Sequence, residues 1–211
     1  MTTDDPDQSP GRRQRKTAEA RKAEIVETAI RLAAEVGPDR LTTQQLAHEI
    51  GITQPAIFKH FPTKAEIWQA VGERISTFLS AGAETAPDLP DPPEVRLVNL
   101  VRRHLTFIRS NPAIPAILFS RELHAENDKL RRLFERLMQN RQQVFRAVIE
   151  QGIASGRFRA DLDADVAAGL YVALVQGQAM RWSLSARSFD LVAEGGAMAQ
   201  LLLAGFYAPK G

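Results

Sequence analysis

Apolar residues recur along most of the chain with the period of an α-helix, about 3.6 residues. No run alternates apolar and polar residues as a half-buried β-strand does. The pattern therefore predicts an all-α fold. The predicted helices cover residues 18–36, 63–81, 94–110, 126–155, 164–186 and 189–208, with a short apolar helix through Ile117, Leu118 and Phe119.

The helical pattern breaks twice soon after the first long helix. A short helix is predicted after Thr42, because Gln45 follows three residues later as in a capping box. Gly51 ends it, since glycine readily takes the left-handed conformation of a sharp turn. A second short helix follows, with Thr53 as its cap and Pro55 in its first turn, where the missing N–H costs nothing. Two short helices joined in this way form a helix-turn-helix. The residues predicted to face inward are Leu46, Ala47, Ile50, Ile52, Ile57 and Phe61.

Composition places the chain among ordinary globular proteins, with 211 residues, 44% hydrophobic and 25% charged. The absence of cysteine excludes a disulfide, a thiol nucleophile and a cysteine-ligated metal. The N-terminal sequence MTTDDPDQSPGRRQRK lacks the apolar segment of a signal peptide. No stretch approaches the roughly 18 consecutive apolar residues of a membrane span. We therefore expect a cytoplasmic protein.

The net charge of +2 is unevenly distributed along the chain. Residues 11–64 contain ten Lys or Arg against six Asp or Glu, whereas the first ten residues contain three Asp. The excess is concentrated in GRRQRK at residues 11–16. Such a cluster is typical of nucleic-acid binding, but a solvated tail carries similar residues.

The second short helix directs small and polar side chains outward. Glutamine can pair with adenine in the major groove, and proline or alanine can contact a thymine methyl group. Lysine and histidine can reach phosphates, especially beside the free N–H groups that begin the next helix. Any solvated helix can carry one such residue, so the DNA-binding prediction depends on their occurring together. The outward set is Gln54, Pro55, Ala56, Lys59, His60 and Lys64.

Residues 18–71 resemble the DNA-binding domain of the TetR family of transcriptional regulators. The matching features are a first helix ending in EVG and the following LTTQQLAHEIGITQPAIFKHFPTKAEI, with its Ala47–Gly51 spacing, an aromatic residue at 58, His60-Phe61 and Lys64. The remainder matches in layout and in the run GIASGRFRADLDADVAAGLYVALVQG.

The resemblance implies a homodimer whose two recognition helices enter successive major grooves of a pseudo-palindromic operator. It also implies contacts to the backbone or groove edge from Thr43 and Gln44, in addition to the outward set. The family commonly has Tyr where this chain has Phe58, so we expect the ring to pack without a hydroxyl that donates to phosphate. The basic tail could compensate along the DNA backbone or in a minor groove. The expected DNA-contacting residues are Thr43, Gln44, Thr53, Gln54, Pro55, Ala56, Phe58, Lys59, His60 and Lys64, with Arg12, Arg13, Arg15 and Lys16 of the tail.

A Pro-rich connector at residues 86–93 separates two helical blocks. With the resemblance, we predict a disordered basic arm at 1–17, a helix-turn-helix DNA-binding domain at 18–64, and a ligand-binding and dimerisation domain at 65–211. In this family the second domain holds a small-molecule effector, and the helix from Thr63 belongs to both halves. The expected apolar pocket walls are Phe107, Phe119, Phe134, Met138, Phe145, Tyr171, Met180 and Trp182.

The last two predicted helices are more apolar than one core-facing stripe requires. Gly169, Ala173 and Gly177 are spaced four residues apart and allow another helix to approach closely. We therefore predict a homodimer through residues 164–208, with two core helices of a monomer as the alternative.

No cofactor motif, metal motif or nucleophile elbow is present, so we expect no enzyme activity, no cofactor and no metal. His104 and His124 are expected to be satisfied or solvated histidines. The sequence favours a dimeric repressor that an unknown small molecule releases from double-stranded operator DNA. An effector-independent DNA-binding protein and an activator of the same fold are the alternatives.

Overall fold

The computed structural model describes residues 16–80 and 91–207, and within these ranges the chain contains helices and no β-strand. The all-α prediction is thereby confirmed. The described helices are α1 (Ala18–Val36), α2 (Thr43–Ile50), α3 (Gln54–Phe58), α4 (Lys64–Ser80), α5 (Pro93–Ser110), α6 (Ala113–Leu118), α7 (Arg121–Glu126), α8 (Asp128–Ala154), α9 (Ala164–Leu184) and α10 (Leu191–Leu203).

Local capping chemistry sets several of these boundaries. The hydroxyl of Thr17 accepts a hydrogen bond from the Ala20 N–H at 3.2 Å and begins α1. Gly156 follows α8 with a φ of 70°, a conformation that glycine adopts without a Cβ clash. Both features were predicted from the sequence and are confirmed. Residues 86–90 of the predicted connector lie outside the described residues, and its last residue, Pro93, is the first residue of α5.

The short helix α7 was not predicted. Its sequence RELHAE offers one buried apolar side chain, Leu123, so it has no hydrophobic period to detect. Capping forms it instead, because the Ser120 hydroxyl accepts from the Leu123 N–H at 3.1 Å. Asn127 then caps α8 through a 3.0 Å hydrogen bond from the Leu130 N–H.

The last two helices are shorter than predicted. After α9, Ala186 and Arg187 have φ values of 51° and 65°, which end the helical path, and the Arg187 N–H closes the turn on the Trp182 carbonyl at 2.8 Å. The side chain of Asp190 accepts from the Val192 and Ala193 N–H groups at 3.0 Å and begins α10.

The buried apolar side chains form two clusters. The first joins α1–α3 to α4, α6, α7 and the N-terminal half of α8, and includes Val71 and Phe134. The second joins α5, the C-terminal half of α8, α9 and α10, and includes Phe145 and Tyr171. Helix α4 therefore packs in the same core as the helix-turn-helix, and α8 contributes to both clusters.

Gly152 allows the loop after α8 to fold back onto this helix. A methyl group at Gly152 would lie 2.1 Å from Cδ2 of the buried Phe158 ring. Relief of this overlap costs about 1–3 kcal/mol, against about 1 kcal/mol that alanine gains in helix propensity. We expect Gly152→Ala to lower the free energy of unfolding, measured by chemical denaturation.

Gln143→Ala, at an exposed position of the same helix, is the control and should change that free energy by no more than about 0.5 kcal/mol. A Gly152→Ala protein as stable as the wild type would contradict the close packing of Phe158 against α8.

Candidate nucleic-acid interface and effector cavity

The helix-turn-helix is built as its sequence predicts. The Thr42 hydroxyl accepts from the Gln45 N–H at 3.1 Å and the Gln45 carboxamide accepts from the Thr42 N–H at 2.9 Å, which completes the capping box. Gly51 lies in the left-handed region with φ 74° and ψ 39°. The Ile52 N–H donates to the Ala47 carbonyl at 2.9 Å and fixes the turn. Thr53 occupies the cap position of α3 without making a side-chain capping bond.

This turn presents one apolar face to the core and one polar face to solvent. The inward residues on the two helices are buried, among them Ala47 on α2 and Ile57 on α3. The outer face is contiguous along α3 and the turn that follows it. Its exposed residues are Gln44, Thr53, Gln54, Pro55, Phe58 and Lys59, and its partly exposed residues are Ala56, His60 and Lys64.

Thr43 was expected to contact the DNA backbone or groove edge, but the structure places it inside the helix-turn-helix. It is buried, and its hydroxyl accepts a 2.7 Å hydrogen bond from the side-chain amide of Gln54. Thr43 therefore orients the exposed Gln54 on the outer face, and its hydroxyl is already engaged. This contact joins residues eleven positions apart on two helices, so no sequence period could have revealed it.

Phe58 lies at the end of α3 with 38% of its surface exposed. It belongs to neither buried cluster and lies on the outer face with the other residues expected to contact DNA. The aromatic residue that closes the core here is Phe61, which is buried and has the Lys22 ammonium 5.8 Å from its ring centre. Phe58 is thus an exposed apolar ring within the polar outer face.

Among the described residues, no carboxylate lies within ion-pair distance of Lys59, His60 or Lys64 on this face. Lys16 differs, because its ammonium pairs with Glu24 at 2.8 Å. The other predicted tail contacts, Arg12, Arg13 and Arg15, lie outside the described residues.

A narrow apolar cavity lies between α4, α5, α6, α8 and α9, and its open interior of about 30 Å³ has room for one or two water molecules. Three of the predicted wall residues line it, namely Phe119, Phe134 and Met138. Sequence reasoning missed the walls that α4 contributes, Ile75 and Leu79. These aliphatic residues have the same pattern as core residues, so the sequence alone could not distinguish them.

The other predicted wall residues lie elsewhere. Phe145 stacks on Tyr171 with ring centres 5.2 Å apart in the second cluster, and burial raises the pKa of the Tyr171 hydroxyl. Trp182 is buried in the same cluster. Phe107 packs against Phe78 with ring centres 6.1 Å apart, and Met180 is half-buried on α9. None of these five residues lines the cavity described above.

Two polar side chains line the cavity, His104 and Gln176. The Nδ1 atom of His104 is buried without a hydrogen-bond partner, which corrects the expectation of a satisfied or solvated histidine. Burial, with the nearby positive charges of Arg141 and Arg103, lowers the pKa of His104 to about 3. The imidazole is therefore neutral at pH 7. The Gln176 amide donates to the Met138 sulfur at 3.1 Å, a weak acceptor.

Direct polar contacts connect the cavity region with the helix-turn-helix. Ser120, which follows the cavity wall of α6, donates to the carboxylate of Asp39 in the loop between α1 and α2. The amide of Asn127 donates to the Ala65 carbonyl in the first turn of α4 at 2.9 Å. Both ends of α7 are therefore attached to the DNA-binding half.

A second apolar surface lies on the outside of α9 and α10. Val166, Leu170 and Leu184 are 62%, 47% and 80% exposed on α9, and Leu201 is 76% exposed on α10. On α9 these residues share one face with Ala173 and Gly177, because their spacing follows the helical period. No atom lies within 4 Å of a Cβ built at Gly177, so this face is open.

Among the described residues, no group of three or more His, Asp or Glu side chains is arranged to hold a metal ion. None of the described helices is long and apolar enough to cross a membrane.

Comparisons with known proteins agree with this geometry. The family model for "Bacterial regulatory proteins, tetR family" matches residues 25–71. The model for "YsiA-like protein, C-terminal region" matches residues 71–205, most of the remaining chain. Together the two models cover both core clusters.

Among curated proteins, the chain is 30% identical over 143 residues to the nucleoid occlusion factor SlmA of Shewanella pealeana, which covers 66% of this chain and 71% of that protein. Two solved structures share the fold. A TetR transcription regulator from Haloarcula marismortui has a TM-score of 0.76 at 21% identity, covering 90% of this chain and 100% of its own. A protein from Saccharomonospora viridis is described as a transcriptional regulator in complex with choline. It has a TM-score of 0.76 at 25% identity, and the match covers 89% of this chain and 97% of that protein.

The helix-turn-helix with its polar outer face and the match along both parts of the chain lead to one conclusion. This protein belongs to the TetR family and is a DNA-binding transcriptional regulator.

Proposed function

We propose that the protein is a dimeric repressor that a small-molecule effector releases from a palindromic operator. The observation that carries the proposal is the position of α4. This helix begins with Lys64 beside the recognition helix α3, and Leu79 in its last turn lies in the wall of the apolar cavity. A ligand in the cavity therefore touches the helix that positions the DNA-reading residues.

In this proposal, α3 lies in the major groove with Gln54 facing the base edges. The hydrogen bond to Thr43 orients the Gln54 amide before DNA is bound, which lowers the entropy lost on binding. Pro55 and Ala56 contact bases beside it, and Lys59, His60 and Lys64 contact phosphates. Residues 18–64 form the DNA-binding domain, and residues 65–211 provide ligand binding and dimerisation.

The exposed face of α9 and α10 supports dimerisation through residues 164–208. A contiguous apolar patch of this kind is unusual on a monomer and common at subunit interfaces. The open space at Gly177 allows a partner helix to approach closely. A two-fold axis along this face would place two copies of α3 on one side of the dimer, as a palindromic operator requires.

Effector release requires the ligand to prefer the conformation that does not bind DNA. Two features support such coupling, the α4 residues in the cavity wall and the attachment of α7 to Asp39 and Ala65. Both would carry a movement of the wall to the helix-turn-helix. The choline complex of the Saccharomonospora viridis protein gives a precedent for ligand binding in this fold.

An effector-independent DNA-binding protein is the second candidate. The observation that favours it is the similarity to the SlmA proteins, which are described as nucleoid occlusion factors. Such a protein would use the same DNA-binding face and dimer interface and would leave the cavity without a function. An activator of the same fold would differ in the position of its operator.

We expect Gln54→Ala to reduce the preference for operator over random DNA, because a bidentate base contact provides about 1–3 kcal/mol of discrimination. Thr43→Val should cause part of the same loss, since it removes the acceptor that orients the glutamine. Competition binding with operator and random duplexes measures the ratio of the two affinities for each variant. If neither variant changes the ratio, Gln54 does not read bases.

Lys64→Ala should instead weaken binding to all sequences and reduce the slope of log affinity against log salt by about one unit, because a phosphate contact carries no sequence information. The control is Lys129→Ala on the exposed side of α8, which should leave the slope unchanged. Equal slopes for Lys64→Ala and wild type would exclude the phosphate contact.

Leu201→Glu and Leu170→Glu should convert a dimer to a monomer at micromolar concentration, because each places a charge in the proposed interface. Gln143→Glu on the exposed surface of α8 is the matched control and should remain dimeric. Sedimentation equilibrium distinguishes the two states. A wild-type monomer would contradict dimerisation, and dimers in all three variants would place the interface elsewhere.

Phe58→Tyr should tighten DNA binding, because the exposed ring would gain a hydroxyl that donates to phosphate. A hydrogen bond to a charged group contributes about 1.5–3 kcal/mol, which is about tenfold or more in affinity. Since the ring lies outside the core, the free energy of unfolding should change little. Unchanged affinity in a titration with operator DNA would mean that no phosphate lies within reach.

A further inference from the structure

The effector cavity is lined mainly by apolar side chains, and its two polar side chains are His104 and Gln176. His104 on α5 contributes an imidazole whose Nδ1 is buried and has no hydrogen-bond partner. A buried polar atom without a partner destabilises the folded protein by about 1–3 kcal/mol. Such an atom lining a cavity is available to form a hydrogen bond with a ligand.

Arg141 on α8 lies beside this region. Its side chain is buried, and one guanidinium N–H group donates to the Leu79 carbonyl at 2.7 Å, so the guanidinium is anchored to a residue of the cavity wall. Its charge also acts on His104. Within the described part of the chain, no carboxylate lies within 4.0 Å of Arg141, although other arginines of α8 form ion pairs with Asp or Glu.

A buried guanidinium without a counter-ion is energetically costly, because desolvation is not offset by an opposite charge. The same desolvation lowers the pKa of Arg141. An anionic group that entered the cavity would supply the missing charge, and the low local dielectric would strengthen the attraction. Apart from Gln176, the walls from α4, α6, α8 and α9 are apolar, so the rest of the ligand must be largely apolar, and its entry must move these walls apart.

We propose that the cavity binds an apolar carboxylic acid in its ionised form, with the carboxylate between Arg141 and His104 and the hydrocarbon part among Ile75, Ile108 and Phe134. This proposal names the class of the effector and therefore rests on the proposed function. The neutral imidazole can donate from Nδ1 to one carboxylate oxygen, and the guanidinium can donate to the other.

The same geometry allows ligand binding to affect the DNA-binding half. The Arg141 hydrogen bond to Leu79 holds the last turn of α4 against α8. A carboxylate competes with that carbonyl for the guanidinium, because charged acceptors form the stronger hydrogen bonds. Weakening this bond releases the end of α4, and the opposite end of α4 carries Lys64.

The test is calorimetric titration of the DNA-free protein with three probes that share one tail: decanoate, decanol and decyltrimethylammonium, all below their micellar concentrations. Decanoate should bind about tenfold or more tightly than decanol, as expected for a charge-assisted contact, and the cation should bind least. Equal affinities for the three probes, or a preference for the cation, would overturn the proposal.

Variants at two residues, Arg141 and His104, test whether these residues cause the preference for the anionic probe. Arg141→Met should bring decanoate down to the affinity of decanol, and Arg141→Lys, which keeps the charge, should restore part of the preference. His104→Leu should reduce the preference while leaving the affinity for decanol unchanged or higher. His104→Leu also provides a test if Arg141→Met does not fold.

Arg146→Met is the control, because Arg146 is an ion-paired arginine on the surface of α8. A preference that survives both His104→Leu and Arg141→Met would place the anion elsewhere.

Operator binding is measured separately, with decanoate present at saturation. A selective decanoate site that leaves operator affinity unchanged would support the ligand class and contradict effector release. Release of the operator by the uncharged decanol, with no preference for decanoate, would support effector release and contradict the ligand class. The two proposals can therefore fail independently.

Discussion

The packing of α4 against α1–α3 is the constraint on which the rest of the structure depends. Helices α2 and α3 contain eight and five residues, too few to persist alone in water. Their inward side chains are buried in one cluster with Ile67, Val71 and Ile75 of α4. Because this core is shared, the recognition helix cannot keep its position if α4 moves. The orientation of α3 is therefore a property of the whole first cluster.

The same helix makes the regulatory half relevant to DNA binding. Its last turns enter the cavity wall, and its final residues are held to α8 by the Arg141 hydrogen bond to Leu79. The short helix α7 adds two further attachments, to Asp39 and to Ala65. Proteins with packed cores respond to such contacts by shifting between discrete arrangements, since a close-packed interior does not deform continuously.

Residues with a local signal could be predicted from the sequence, and residues with distant partners could not. The capping box at Thr42, the turn at Gly51 and the outward position of Gln54 all follow from spacing within a few residues. Folding brings together the helices that create three other features. These are the hydrogen bond between Thr43 and Gln54, the buried Nδ1 atom of His104 without a partner, and the buried guanidinium of Arg141. Helix α7 was missed because capping, and not hydrophobic period, forms it.

The central claim is that two copies of this chain read DNA together through α3. The most direct measurement is selection of binding sites from a random DNA pool, followed by the mass of the purified complex. Our account predicts enrichment of a sequence with two inverted half-sites whose centres are about one helical turn or a multiple of it apart, bound by an even number of protomers with each half-site occupied. Enrichment of a single half-site bound by one protomer, or no enrichment at all, would contradict it.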